Sequence, residues 1–250
     1  KKLWTDKDAG EQIKYFQALD GDYEARQVAS KIENHQRYNY KDKIAILYRT
    51  NAQSRLFEEA LRRNRIEYNI VGGFSFYERA EIKDVISYLK LALNPFDDIA
   101  LNRVINTPTR GLGKSTLDEL SLKAKDFGTS IWEAISILTD ANNNQPKNLT
   151  PRAIESLKKF KAIIEKLANK VSESATSERP VTEVVISAIE DTGYANMLRE
   201  ENSDESAGRL ENLEELVNAA VDYDKQEANG LRDFIDHAAL SSDTDKFDGN

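Results

Sequence analysis

Tyr68-Asn69-Ile70-Val71-Gly72-Gly73, running on into Phe74-Ser75-Phe76-Tyr77-Glu78-Arg79-Ala80-Glu81-Ile82-Lys83-Asp84, is where the hydrophobic pattern of this chain changes period. Up to Val71 the apolar residues come in short runs suited to strands. After Gly73 they recur at helical spacing: Ile82, Val85, Ile86, Leu89 and Leu93 share one face, and Asn94-Pro95 ends the series. The expected fold class is therefore mainly α. A partial, incomplete parallel α/β segment is expected over residues 1–72, then an all-helical domain over residues 73–245, with residues 246–250 as a linker.

Upstream of the change, Ile13–Leu19, Ile44–Tyr48 and Tyr68–Val71 read as strands. Ala25, Val28, Ala29 and Ile32 mark a helix after the first strand, and Leu56, Ala60 and Leu61 one after the second. Strand–helix–strand–helix–strand is a parallel unit too small to cover both faces of its sheet. Downstream, helices are expected around Leu101–Ile105, Leu117–Phe127, Ile131–Leu138, Ile154–Val171, Val184–Ile189, Leu210–Ala220 and Leu231–Ala238. Asn142–Pro146 and Ser172–Pro180 read as loops, and Ser241–Asn250 as a polar, frayed end.

Composition narrows the chemistry. The 250 residues carry 35 basic and 43 acidic side chains, a net charge of −8, with no Cys and two His. Thiolate metal sites and disulfide scaffolds are excluded. His35 and His237 are too far apart in sequence to suggest a metal site. No apolar run is long enough to span a bilayer, and no leader is evident. The chain opens on Lys1-Lys2-Leu3-Trp4 without Met, as a piece of a longer protein would. The charge is uneven: residues 1–125 carry a net of +4 and residues 126–250 a net of −12. A polyanion would be received by the first half and repelled by the second.

Pro108-Thr109-Arg110-Gly111-Leu112-Gly113-Lys114-Ser115-Thr116 contains the end of a nucleotide P-loop, but Pro108 stands where its first Gly is required and no strand precedes it. Two readings of this stretch stand. In one, the glycines let a phosphate approach the backbone, the N–H groups opening the next helix point at it, and Arg110, Lys114, Ser115 and Thr116 add donors. In the other, Gly111 and Gly113 only close a tight turn between helices, with Ser115 as a cap. Tyr48–Arg55 lies at the expected C-terminal edge of a parallel sheet, where Arg49 and Asn51 could meet a single strand of nucleic acid. Lys83 and Lys90, seven apart, could track phosphates or simply face solvent.

Five blocks in order carry a resemblance: Lys1–Asp6, Ala45–Arg55, Tyr77–Asp84, Asn106–Gly113 and Arg209–Leu213. Together they resemble the UvrD/PcrA/Rep family of superfamily 1 DNA helicases. The resemblance implies that residues 1–72 are the first segment of the RecA-like motor domain 2A, and that residues 73–245 are the 2B domain inserted in it. Residues 246–250 would lead back to the rest of 2A. It implies an ATP-dependent 3′–5′ helicase of DNA repair in the bacterial cytoplasm, with ATP and Mg used by the parent and no cofactor held by this segment. Its implied partners are single-stranded and duplex DNA, bound without regard to sequence, the remaining helicase domains (1A, 1B and the rest of 2A), and mismatch- or excision-repair proteins, with no membrane. Arg49 and Asn51 match positions that touch single-stranded DNA. Lys83 and the Gly111-Leu112-Gly113 turn with Thr116 match the duplex-contacting surface, Leu112 replacing the usual Ile, and Lys90 stands where a basic residue is expected. Gly72 and Gly73 are the expected hinge about which 2B swings. The alternative is an acidic helical module that docks proteins or inhibits the motor while touching no DNA.

Overall fold

The computed structural model describes residues 6, 10–140, 149–226 and 229–243. Its elements are α1 (Gly21–Tyr38), α2 (Ser54–Arg63), α3 (Ala80–Leu93), α4 (Asp98–Val104), α5 (Lys114–Phe127), α6 (Ile131–Thr139), α7 (Pro151–Ser174), α8 (Pro180–Glu190), α9 (Tyr194–Glu201), α10 (Asp204–Lys225) and α11 (Leu231–Asp243). Two single 3-10 turns, Asn51–Gln53 and Phe76–Glu78, precede α2 and α3. The backbone divides into two compact units, residues 1–47 with 56–68, and residues 48–55 with 69–250.

The helices fall where the hydrophobic period places them, and their ends follow from local chemistry. Asp97 caps α4 by accepting from the amides of Ile99 and Ala100. Ser130 and Glu133 close a capping box on α6, and Thr150 followed by Pro151 opens α7. Gly128 ends α5 in the left-handed conformation. The short helix α9 is an addition to the expected set. Asn142–Pro146, expected as a loop, lies outside the described residues, as do residues 246–250.

In the larger unit α3 is the axis. It packs against α4, α7, α8, α10 and α11. Ile82, Val85, Tyr88, Leu89 and Leu91 are all fully buried, so α3 is covered on more than the one face that periodicity suggested. That burial carries polar residues inside. Asp84 accepts from the Tyr194 hydroxyl at 2.7 Å and pairs with Arg103 at 2.7 Å. Glu81 accepts from the Asn212 amide at 2.5 Å, and Asn212 in turn accepts from Arg79 at 2.8 Å. Arg79 also donates to Ser54, and Arg55 pairs with Glu215 at 2.6 Å and with Asp222 at 3.3 Å. Buried polar groups are tolerated only when satisfied, and each of these has its partner. Three of the five sequence blocks (Ala45–Arg55, Tyr77–Asp84 and Arg209–Leu213) therefore meet in one buried network.

The smaller unit is leaner. Ala25, Ala29 and Ile32 of α1 pack on Ala60 and Leu61 of α2, with Ile46, Ile66 and Tyr68 partly buried against them. The three expected strands do not form: among the described residues there is no strand. Ile13, Leu19, Leu47 and Val71 are each at least 93% exposed. A strand exists only when a neighbour takes its N–H and C=O groups, and no described segment does so here. The expected α/β segment is reduced to its two helices and unpaired connecting chain.

Candidate nucleic-acid interface

The turn between α4 and α5 is built from Asn106 outward. Its carboxamide oxygen accepts from the amides of Arg110 at 2.8 Å and Leu112 at 3.2 Å, which folds residues 106–112 into a loop. Leu112 is 1% exposed and anchors the loop in the core. Gly111 sits at φ +73°, the left-handed region that a Cβ disfavours. Asn106 was not among the expected functional residues. An Asn a few residues before a Gly-x-Gly turn is a recognisable signal for such a loop.

Arg110 does something other than expected. Its terminal nitrogens donate to the carbonyls of Val104 (3.1 Å), Pro108 (3.1 Å) and Thr192 (3.2 Å), and to the Tyr88 hydroxyl (2.8 Å). The guanidinium also lies over the Phe160 ring at 5.5 Å. It caps the carbonyl end of α4 and ties the loop to α3, α7 and the segment after α8. Turned inward, these nitrogens are not placed to bridge phosphates, which corrects the role expected for this side chain. Tyr88 also donates to the Thr107 carbonyl, and burial pushes its hydroxyl pKa up to about 12, Arg110 opposing the rise.

What the turn leaves outward differs in kind. Gly111, Gly113, Lys114 and Ser115 are exposed and Thr116 is half-buried. Gly113 is the N-cap of α5 at φ −72°, a conformation open to any residue, and no atom lies within 4 Å of where its Cβ would stand. No side chain caps α5, no acidic residue sits in its first turn, and the amides of Lys114 and Ser115 have no acceptor among the described residues. This is a helix N-terminus with free donors, an adjacent ammonium and unobstructed approach. The P-loop alternative finds no support here: the element before the turn is helix α4.

Of the other expected contacts, all but Lys90 are exposed. Lys83 projects from α3 into solvent, and Lys90, two turns on, is half-buried. Arg49 and Asn51 are exposed, and the loop that carries them is held by Gln53, whose carboxamide oxygen accepts from the amides of Arg49 (2.9 Å) and Thr50 (3.2 Å). Arg55, just beyond this loop, is buried and paired with Glu215 of α10. Gly72 lies at φ +82° and is exposed with Gly73. Phe76 and Tyr77 beyond them are buried, while Phe74 is exposed. Among the described residues no group of His, Asp and Glu is arranged to hold a metal ion, and no helix is long and apolar enough to cross a membrane.

Comparison with known proteins sets this geometry in a family. Residues 1–249 match the model of the UvrD-like helicase C-terminal domain. DNA helicase II of Escherichia coli K12 is 40% identical over 247 residues, which is 97% of this chain and 33% of that protein. The ATP-dependent DNA helicases PcrA of Staphylococcus epidermidis RP62A and of Bacillus subtilis 168 are 36% and 37% identical over 99% of the chain, covering 33% and 32% of those proteins. The chain thus spans about a third of the length of these curated relatives.

Proposed function

The chain belongs to the UvrD-like helicase C-terminal domain family, and on that premise we propose that it is the DNA-engaging and regulatory segment of an ATP-dependent 3′–5′ DNA helicase. Nucleotide and magnesium would be held by parts of such a helicase other than this segment. The segment's own work is to hold DNA. Backbone amides at Gly113–Ser115, with Lys114 and Thr116, take the phosphates of a duplex, and Lys83 and Lys90 add charge along α3. Arg49 and Asn51 meet the single strand. Arg110 and Leu112 position the turn from behind and touch no DNA. Gly72 and Gly73 give the chain between the two activities its freedom to swing.

One observation carries the duplex reading: Gly113 is a glycine that neither its backbone angle nor its packing requires. A ligand that approaches the backbone closely accounts for it, and the uncapped amides beside it suit an anion. Binding by phosphate contacts is independent of sequence and weakens steeply with salt. The test is fluorescence anisotropy of this chain with a hairpin carrying a 3′ single-stranded tail, titrated at several salt concentrations. Binding that weakens with salt and is equal for unrelated sequences is expected. Absence of binding at low salt would favour the acidic protein-docking alternative instead.

A further inference from the structure

We infer that Arg152 and Lys159 on α7 extend the duplex-phosphate surface of the Gly111–Thr116 turn onto a second helix. The inference rests on the duplex reading above but on different residues. A groove of about 580 Å³ runs beside the turn, with Thr109, Arg110 and Gly111 on one wall and Arg152, Glu155, Ser156 and Lys159 of α7 on the other. The two walls are fixed to each other, because the Ser156 hydroxyl donates to the Arg110 carbonyl at 2.8 Å. Arg152 reaches the turn itself: its Nε lies 4.0 Å from where a Cβ on Gly111 would stand.

The charges along this face of α7 divide into two kinds. Arg152, Lys159 and Lys166 follow at seven-residue spacing, with Lys170 one turn further, so all four share a stripe. The distal pair is engaged: Lys166 meets Asp191 at 3.0 Å and Lys170 meets Glu183 at 2.8 Å. The proximal pair is not. Arg152 is exposed and has no hydrogen bond or ion pair among the described residues. Lys159 has only Glu155 at 3.9 Å, with both side chains mostly in solvent, a pairing worth little. α7 carries six basic and three acidic residues in a half of the chain whose net charge is −12. Its uncommitted cations line the groove beside Gly111, in the turn that leads into α5, about 10 Å apart along the helix axis. A duplex backbone seated on the Gly113 amides runs past this groove, and a guanidinium with a neighbouring ammonium is the chemistry that takes its next phosphates.

The experiment compares the whole 250-residue chain with the R152A/K159A and K114A variants, each titrated with a fluorescein-labelled blunt duplex over a range of KCl. Removing one phosphate-binding cation reduces the slope of log affinity against log salt by about 0.9. R152A/K159A is expected to lower the slope by about 1 to 2 and the low-salt affinity about tenfold. Its thermal midpoint should be unchanged, since both side chains are exposed. Glu155→Gln should tighten binding, because a carboxylate on the same wall opposes the phosphates. Affinity and slope unchanged in R152A/K159A, while K114A lowers both, would overturn the inference and leave the proposed function standing. No salt-dependent duplex binding by the parent chain would overturn both.

Discussion

The larger unit and the smaller one differ in how their apolar residues find cover. In the body around α3, each helix closes its own backbone hydrogen bonds and needs a neighbour only for its side chains. Tyr88, Leu101, Ile135 and Phe160 are all buried. In the smaller unit, α1 and α2 manage the same, but Ile13, Tyr15, Leu19 and Leu47 lie on unpaired chain and face solvent. A helix is a local solution and a strand a shared one. Side-chain pattern alone forms the first, whereas the second waits on a partner backbone.

Single substitutions put numbers on that contrast. The largest effect is expected at Leu101, fully buried: Leu101→Ala should cost about 3 kcal/mol in denaturant unfolding, whereas Leu47→Ala, at a residue 93% exposed, should stay within about 0.5 kcal/mol. A cost at Leu47 approaching that at Leu101 would mean that Leu47 is covered in solution. Next comes the buried network. Asn212→Leu strips Glu81 of a donor and Arg79 of an acceptor and should cost about 2 kcal/mol, read as a lowered denaturation midpoint with unchanged slope. A neutral outcome would mean that water reaches these groups.

Gly111→Ala places a side chain at φ +73° and should cost about 1 kcal/mol. The smallest effect is acid sensitivity at the contact between α7 and α8. Hydrogen bonds from Lys170 and then Ser177 hold the Glu183 carboxyl below its usual 4.5, and those from Ser187 and then Lys166 hold Asp191 below its usual 3.8. The unfolded chain therefore binds protons more readily than the folded one. The stabilisation is full above the ordinary carboxylate range and is lost as pH falls through the depressed values. Melting temperature should drop modestly between about pH 5 and pH 3, and less in Lys170→Met. A midpoint flat across that window would mean the pairs contribute nothing.

Most of the helical body could be read from the sequence. Periodicity placed α3 to α8, α10 and α11, and Gly128 and Asn94-Pro95 marked their ends. Other features escaped it. The unpaired segments looked like strands because a β-rich pattern records a side-chain preference and says nothing of whether a neighbour is present. Arg110 looked like a phosphate ligand because an arginine in a basic turn carries no mark of direction. Only the fold reveals that its donors meet the end carbonyls of α4. Asn212 went unvalued for a similar reason, since its partners Arg79 and Glu81 are distant in sequence, whereas Asn106 acts on the nearby amides of Arg110 and Leu112 and was simply passed over. The exposed start of α5 at Gly113, Lys114 and Ser115 was readable, since a glycine-flanked turn before a helix is a local signal.

Under the proposed function the bare N-terminus of α5 holds a DNA phosphate, and Gly113→Asp probes that contact alone. Asp is a strong N-cap that suits the positive helix end, and open space surrounds the site, so stability should rise by about 0.5 kcal/mol. Its carboxylate would occupy the same amides a phosphate needs. Duplex affinity measured by anisotropy should then fall at least about tenfold, a change of about 1.4 kcal/mol or more, while unfolding shifts the other way. Stability raised with duplex affinity unchanged would mean that these amides hold no phosphate.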